Sequence, residues 1–331
     1  MVSLSALVYR GKLIESKHKA LCLVKDVSNK VILSTNNEKS LIYPRSAIKI
    51  FQALPFINSK APNIFNLNEK NIAISCSSHA GETQHMHILN EWINKIEIDK
   101  YQLQCGIHNP LNEQSSNKLL LSGNKPTPLH NNCAGKHLGV ISGCIANKMD
   151  IVNYVNYSHP YQQLIRESIE YFMESKIQSE CIGTDGCNLP QYAFPLSSIT
   201  TSMINLIKKK KTKNKYSNSL NIILSSIKQY PLLIGGSNHF DSEIIHFTKG
   251  RIFAKGGAEG VLLFADFSKK IGGVIKILDG NNRALPTIAM QIFLKLEMLL
   301  ENEKKELKNW TTQKLFNHKK KEIGKITAEI K

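Results

Sequence analysis

A thiol, an amine and an imidazole stand within five residues at Cys133, Lys136 and His137, inside the run His130-Asn131-Asn132-Cys133-Ala134-Gly135-Lys136-His137. Each can serve as nucleophile, base or metal ligand, and packing alone rarely asks for all three together. The run reads as a polar turn loosened by Gly135. Two chemistries suit it. Cys133 and His137 could form a nucleophile pair of the kind used by thiol-dependent amidases. Alternatively, the turn-rich loop Gly183-Thr184-Asp185-Gly186-Cys187-Asn188-Leu189-Pro190 could bring a second thiol, Cys187, to Cys133 and Lys136. Two thiolates and one nitrogen suit zinc. A lysine ligand is unusual because its amine must be neutral, and His137 is the more ordinary ligand on spacing. Residue chemistry leaves both readings open.

A second nucleophile stands far upstream. Ser46-Ala47-Ile48-Lys49 follows Tyr43-Pro44-Arg45 and precedes an apolar helical pattern ending at Leu54. Residues three apart share a helix face, so the Lys49 amine can reach the Ser46 hydroxyl. Base work requires that amine neutral, a form favoured by burial, by the positive end of the helix and by neighbouring Arg45. In a lysine-rich chain such a pair also arises by chance, as an N-cap serine with a solvated lysine. Two further segments end in small residues. Ile74 to Glu82 closes a strand-like run with Ser77-Ser78-His79, and Lys255 ends a strand before Gly256-Gly257-Ala258-Glu259-Gly260. That glycine run lets backbone approach a ligand, but no phosphate-binding pattern accompanies it.

These groups need a scaffold, and the apolar patterning supplies one. Residues 3–35 read as strands, with Ala20–Val24 a short buried run between lysines. Helices are expected over Glu82–Ile96 and Tyr161–Ser175, and from Pro286 to about Leu300. A hairpin Ile244–Phe247/Arg251–Lys255 turning at Lys249-Gly250 is expected, followed by strands Gly260–Phe264 and Ile271–Leu278. The plan is a single α+β domain over residues 1–331. Its antiparallel sheet comes from both chain ends, about 1–40 and 240–280, with a mainly helical portion of about 80–230 inserted between them.

Bulk properties narrow the function. A chain of 331 residues with 42% hydrophobic residues can bury its own core. The net charge of +17 invites a nucleic-acid reading, but 38 of the basic residues are Lys and only five are Arg. Base readout and bidentate phosphate contacts favour Arg, so the lysines read as a solvated surface, and no nucleic-acid partner is expected. The densest basic runs are Lys208 to Lys215, in a segment 208–219 that reads as a link between two helices, and Lys319 to Lys321. No apolar run reaches membrane-spanning length, and the N-terminus reads as a strand, not a signal peptide. Seven irregularly spaced Cys fit reduced thiols in a cytoplasm better than a disulfide framework.

Taken in order, Tyr-Pro-Arg-Ser-x-x-Lys, Ser-Ser-His-x-Gly-Glu, Cys-Gly-x-His-x-Pro, His-Asn-Asn-Cys-x-Gly-Lys-His, Gly-x-Asp-Gly-Cys and Lys-Gly-Gly-Ala-Glu-Gly make a set far more specific than any one of them. The set resembles the Rhizobium etli-type, class 3 L-asparaginases, also called the asparaginase II family, from about Leu4 to Glu259. The resemblance implies a fold similar to serine β-lactamases and serine-dependent glutaminases, and hydrolysis of L-asparagine to L-aspartate and ammonia. It implies Ser46 as nucleophile with Lys49 as base, and Ser78 with Lys255 as a second Ser–Lys pair. It further implies zinc on Cys133, Lys136 and Cys187, with Arg45, His137 and Asp185 supporting those groups or the substrate, and a homodimer. One departure is visible: His239, in Gly235-Gly236-Ser237-Asn238-His239, stands where the family usually has Arg. Asparagine and glutamine differ by one methylene, worth only about 1–3 kcal/mol to a packing pocket, so a glutaminase or another small-amide hydrolase is the nearest alternative. A non-catalytic zinc or amino-acid-binding protein is the other.

Overall fold

The computed structural model describes residues 2–209 and 212–331. The chain forms two compact units, one of residues 1–47, 194–208 and 247–331, the other of residues 48–193 and 209–246.

The first unit is built on an eight-stranded antiparallel sheet. Its strands run in the order Gln313–Phe316, Glu322–Ile330, Leu4–Arg10, Leu13–Asp26, Ile271–Ile277, Val261–Asp266 and Ile252–Gly257, with Val31–Ser34 also paired to Leu13–Asp26. Both chain ends meet in it, Leu4 opposite Ile330 and Ile271 opposite Asp26. Neighbours along a strand face opposite ways, yet Leu23 and Val24 are both fully buried, as is every residue of Val261–Asp266. The sheet must therefore be covered on both faces. Adjacent glycines show how. A side chain on Gly272 would strike Met203 at 2.8 Å, whereas one on Gly273 would strike Phe264 at 2.7 Å, and Phe264 packs edge-on against Phe293. Met203 lies on helix Leu196–Lys209 and Phe293 on helix Leu285–Lys295. Each helix thus takes one face, and the two glycines let them close in.

The second unit is helical, and helix Ala134–Ala146 is at its centre. Every residue from Ala134 to Cys144 is buried, so this helix has no polar face. It carries Gly135, Gly139 and Gly143 at four-residue spacing. A Cβ at Gly135 would fall 2.2 Å from the Ile74 carbonyl oxygen, and one at Gly143 would fall 1.9 Å from the Tyr161 hydroxyl. These glycines admit helices Glu69–Ser75 and Pro160–Met173 at close range. Helix Thr83–Lys95 packs through fully buried Trp92, whose ring nitrogen donates to Ser142 Oγ at 3.0 Å.

Several local expectations give way. The run 130–137 is not a loop loosened by Gly135; it enters the central helix, and Gly135 is a packing contact. Residues 240–247 form a helix, Phe240–Phe247, instead of one arm of a hairpin, because Phe240, Ile244 and Ile245 share a helical stripe and acidic groups sit in the first turn. Strand Ile252–Gly257 pairs instead with Val261–Asp266. The strand-like run before Ser77 is helix Glu69–Ser75, started by Asn68. The helix expected up to Leu54 is broken into a 3₁₀ turn Arg45–Ile48, helix Lys49–Gln52 and helix Leu54–Asn58, so its dipole is weaker than assumed. The helix after Pro286 stops at Lys295. The lysine-rich segment does join two helices, Leu196–Lys209 and Ser217–Gln229, with its residues 210 and 211 outside the described ones.

Candidate active site

In the helical unit three of the expected residues converge. Cys133 is the residue that starts the central helix, its N–H held by Asn131 Oδ1 at 2.9 Å, while Asn131 Nδ2 donates to the Cys105 carbonyl at 2.7 Å. One helical turn on, the Lys136 ammonium donates to Cys187 Sγ at 3.0 Å and lies 3.8 Å from Asp185 Oδ2. Cys187 is carried on a tight turn between strands Ile182–Thr184 and Pro190–Tyr192, closed by Asp185 N–H to the Leu189 carbonyl and by Asn188 in the left-handed region. Cys187 Sγ also lies 3.7 Å from Asp185 Oδ2, and the side chains of Cys133, Lys136, Asp185 and Cys187 are all buried.

The electrostatics follow from these contacts. The Cys133 thiol holds the Cys187 thiol well below its ordinary range; burial opposes this and Lys136 reinforces it. The proton stays on Cys133, pushed up by Cys187 and by burial. Burial works against the Lys136 charge, but Cys187, Cys133 and Asp185 together keep it protonated. His137 is neutral, depressed to about 3 chiefly by burial. Gln104 N–H donates to the Tyr154 hydroxyl at 2.7 Å, and that hydroxyl is hydrogen-bonded to His137 Nδ1 at 2.6 Å. A Cys133–His137 nucleophile pair does not fit this arrangement, since His137 is engaged by Tyr154 and the Cys133 thiol is held protonated.

Among the described residues no cluster of three His, Cys, Asp or Glu could hold a metal. A metal here would draw on the lysine: two soft sulfurs and one nitrogen, a donor set that suits zinc if Cys133 and Lys136 give up their protons. The residues fit that ion by donor chemistry.

Close to this cluster lies a second group. Lys49 is fully buried. Its ammonium nitrogen donates to the Ser77 carbonyl and to Ser78 Oγ, the latter at 3.1 Å. His79 N–H donates to the Asn132 carbonyl at 3.2 Å, which ties the Ser78 segment to the residue before Cys133. Ser78 N–H donates to the Ile234 carbonyl at 2.8 Å. His239, the departure from the family pattern, lies over Gly235, where a Cβ would meet its ring at 2.4 Å.

The sheet unit holds Arg45, Ser46 and Lys255. Arg45 has φ +52, a left-handed conformation that costs a non-glycine residue about 1–2 kcal/mol and turns the chain sharply into Ser46. Strand Ile252–Gly257 runs against this turn: a Cβ on Gly257 would fall 2.7 Å from the Pro44 carbonyl oxygen and 3.2 Å from the Ser46 nitrogen. Lys255, two residues earlier, points to the same side of the strand as Gly257. It is 2% exposed, and its ammonium donates to the Gly256 carbonyl at 3.0 Å. The expected second pair, Ser78 with Lys255, draws one residue from each unit, and Ser46 and Lys49 are three residues apart across the change of unit. Tyr154 was not anticipated. Asn131 and Gly257 had a signal only through their places in the His130–His137 and Lys255–Gly260 motifs.

The model of the family L-asparaginase II matches residues 6–328. The chain belongs to the L-asparaginase II family. It is accordingly an amidohydrolase that hydrolyses the L-asparagine side-chain amide. No curated protein sequence matches it. A crystal structure described as a "putative beta-lactamase from Bacteroides dorei" is similar to it, with 9% identity over 83% of this chain and 92% of that one and a TM-score of 0.45, too slight a likeness to carry weight. The α+β plan itself, an antiparallel sheet from both chain ends with helices, is what the chain folds into. Among the described residues no helix is long and apolar enough to cross a membrane.

Proposed function

We propose that Ser46 and Lys49 carry the amide hydrolysis, with a zinc ion held by Cys133, Lys136 and Cys187. The observation that carries the reading is the full burial of Lys49, three residues after Ser46, with its nitrogen 3.1 Å from Ser78 Oγ. A fully buried lysine whose nitrogen donates to a serine hydroxyl and a backbone carbonyl is placed for proton transfer with a hydroxyl.

In this mechanism neutral Lys49 takes the Ser46 hydroxyl proton as Ser46 Oγ attacks the side-chain amide carbon of asparagine. Backbone N–H groups hold the oxyanion, and the Ser46 N–H beside Gly257 is the candidate donor; one such donor is worth about 3–4 kcal/mol. Lys49 returns the proton to the leaving nitrogen, and ammonia departs. Water then attacks the aspartyl ester, giving up a proton through Lys49, and Ser46 is regenerated with release of aspartate. Ser78 keeps the Lys49 amine in place, and Lys255 supports the Ser46 turn from its strand. Arg45, Asp185 and His137 are candidates to orient substrate charge. Zinc would supply a Lewis-acidic anchor for the amino-acid head group. The family resemblance also supports a homodimer in the cytoplasm.

The test is ammonia release from asparagine and glutamine, with and without chelator. Ser46→Ala is expected to abolish release, and wild-type-like turnover in that variant would overturn the assignment. Faster release from glutamine would move the reading to a glutaminase. Metal and ligand binding without turnover in the wild type would leave only a binding protein.

A further inference from the structure

Away from Lys49 and the thiols, the helical unit holds a cavity of about 320 Å³, within the size range of small-molecule sites. Its floor and walls are largely apolar, with Ile88, Tyr230 and Leu232 contributing. Around them stand Lys70, His87 and His246; no aspartate or glutamate lines the cavity itself, and His87 Nε2 lies 3.4 Å from Glu91 outside it, which leaves Lys70 as the principal cation of the rim. The Lys70 ammonium lies 5.7 Å from the centre of the Tyr230 ring, at the junction of the apolar wall and the basic rim. A basic rim over an apolar floor is complementary to an anion attached to a hydrophobic body.

The wall at residues 231–233 is a single 3₁₀ turn, and its carbonyls lead inward. Glu82 N–H donates to His85 Nδ1, so the other ring nitrogen of His85 carries the proton and donates to the Leu232 carbonyl at 3.4 Å. The turn closes with Ile234 N–H on the Pro231 carbonyl at 3.1 Å, and the Ile234 carbonyl accepts the Ser78 N–H at 2.8 Å. Ser78 Oγ in turn accepts from Lys49. One helical turn therefore separates the cavity wall from the serine that holds the base.

We infer that this cavity binds a small carboxylate with an apolar body, and that its occupancy is transmitted through the 231–234 turn to Ser78. Binding stands on the cavity alone. The transmission rests on the role given to Lys49 and Ser78 under Proposed function, and it amounts to a coupling between two separate sites.

Calorimetry on the full chain with phenylbutyrate and with the neutral phenylbutanol tests the binding. Phenylbutyrate is expected to bind saturably, about tenfold more tightly than the alcohol, and about tenfold more weakly to Lys70→Gln, the difference one charge-assisted contact makes. Lys70 is exposed, so the variant keeps its fold. Absence of saturable binding, equal affinity for the alcohol, or undiminished binding by Lys70→Gln would each overturn the site. Ammonia-release kinetics test the coupling. Phenylbutyrate should shift kcat or KM for asparagine several-fold in the wild type and leave Lys70→Gln unmoved. Binding with unmoved kinetics overturns the coupling. An active Ser46→Ala overturns the mechanism instead, and the calorimetry remains decisive for the cavity.

Discussion

Each unit buries a cluster of charged groups, and the two clusters differ in kind. In the sheet unit Arg251 reaches Asp266 at 2.9 Å and Glu303 at 2.5 Å. Asp266 also accepts from Ser268 and Lys269, and Glu303 from the Leu300 N–H. Each of these hard oxygens is met by a guanidinium or backbone donor, so the cluster is closed and pins strand ends. In the helical unit Lys136 meets Cys187 and Asp185, and the two buried thiols are pushed apart in acidity, Cys187 below its ordinary range and Cys133 above it. Sulfur is a weak acceptor of hydrogen bonds and a strong donor to soft metals. Burying it with an ammonium gives less structural return than a carboxylate–guanidinium pair, and more chemistry. Burial of charge alone does not mark function; the identity of the partner does.

Substitutions can break that contrast. Lys49→Met removes the base while keeping side-chain length. Turnover should fall by about 10²–10⁴-fold with little change in folding, measured by ammonia release on protein of verified circular dichroism. Retained turnover would remove Lys49 from the chemistry. Arg251→Met is the counterpart in the sheet unit. It strands two buried carboxylates, and stability should drop by about 3 kcal/mol in urea unfolding, while kcat per folded molecule stays unchanged. A large loss of kcat without destabilisation would show the closed cluster to be functional after all.

Cys187→Ser sharpens the contrast further. Zinc affinity should fall by at least about tenfold, because oxygen replaces a soft donor, and chelated wild type should show the same change in KM as the variant. Metal analysis after dialysis reads this directly. Zinc retained in full by Cys187→Ser would exclude these residues as its ligands. The residue types of this cluster are legible in the sequence, and so is part of the sheet. Cys133, Lys136 and Cys187 lie in short motifs whose residue types advertise their chemistry, and parts of the sheet are short apolar runs such as Ala20–Val24 and Val261–Ala265. What escaped was set by distant partners. Tyr154 and Asn131 act through hydrogen bonds to backbone and ring atoms, and no local pattern encodes those. Strand Glu322–Ile330 pairs with Leu4–Arg10 on one side and with the edge strand Gln313–Phe316 on the other, and both mix charged and apolar residues without a sustained apolar run. Gly135 looked like a loop residue because a glycine that loosens a turn and one that admits a neighbouring helix are identical in sequence.

The smallest expected effect concerns pH. The helical unit buries His79 and His85, stacked with ring centres 5.3 Å apart, and burial holds both below their ordinary range. Each is neutral when folded and titrates normally when unfolded. Below about pH 6.5 the unfolded chain therefore binds protons that the folded chain refuses. The stability these residues contribute is complete above that pH and is lost as pH falls toward their folded values. The slope is at most about 1.4 kcal/mol per pH unit for each histidine. The closed cluster of the sheet unit contains no histidine. Urea unfolding of the wild type between pH 7 and 5 should show this loss, and His85→Gln, which keeps a donor for the Leu232 carbonyl, should flatten it. A pH profile that His85→Gln leaves unchanged would mean that His85 is not among the groups making the fold acid-sensitive.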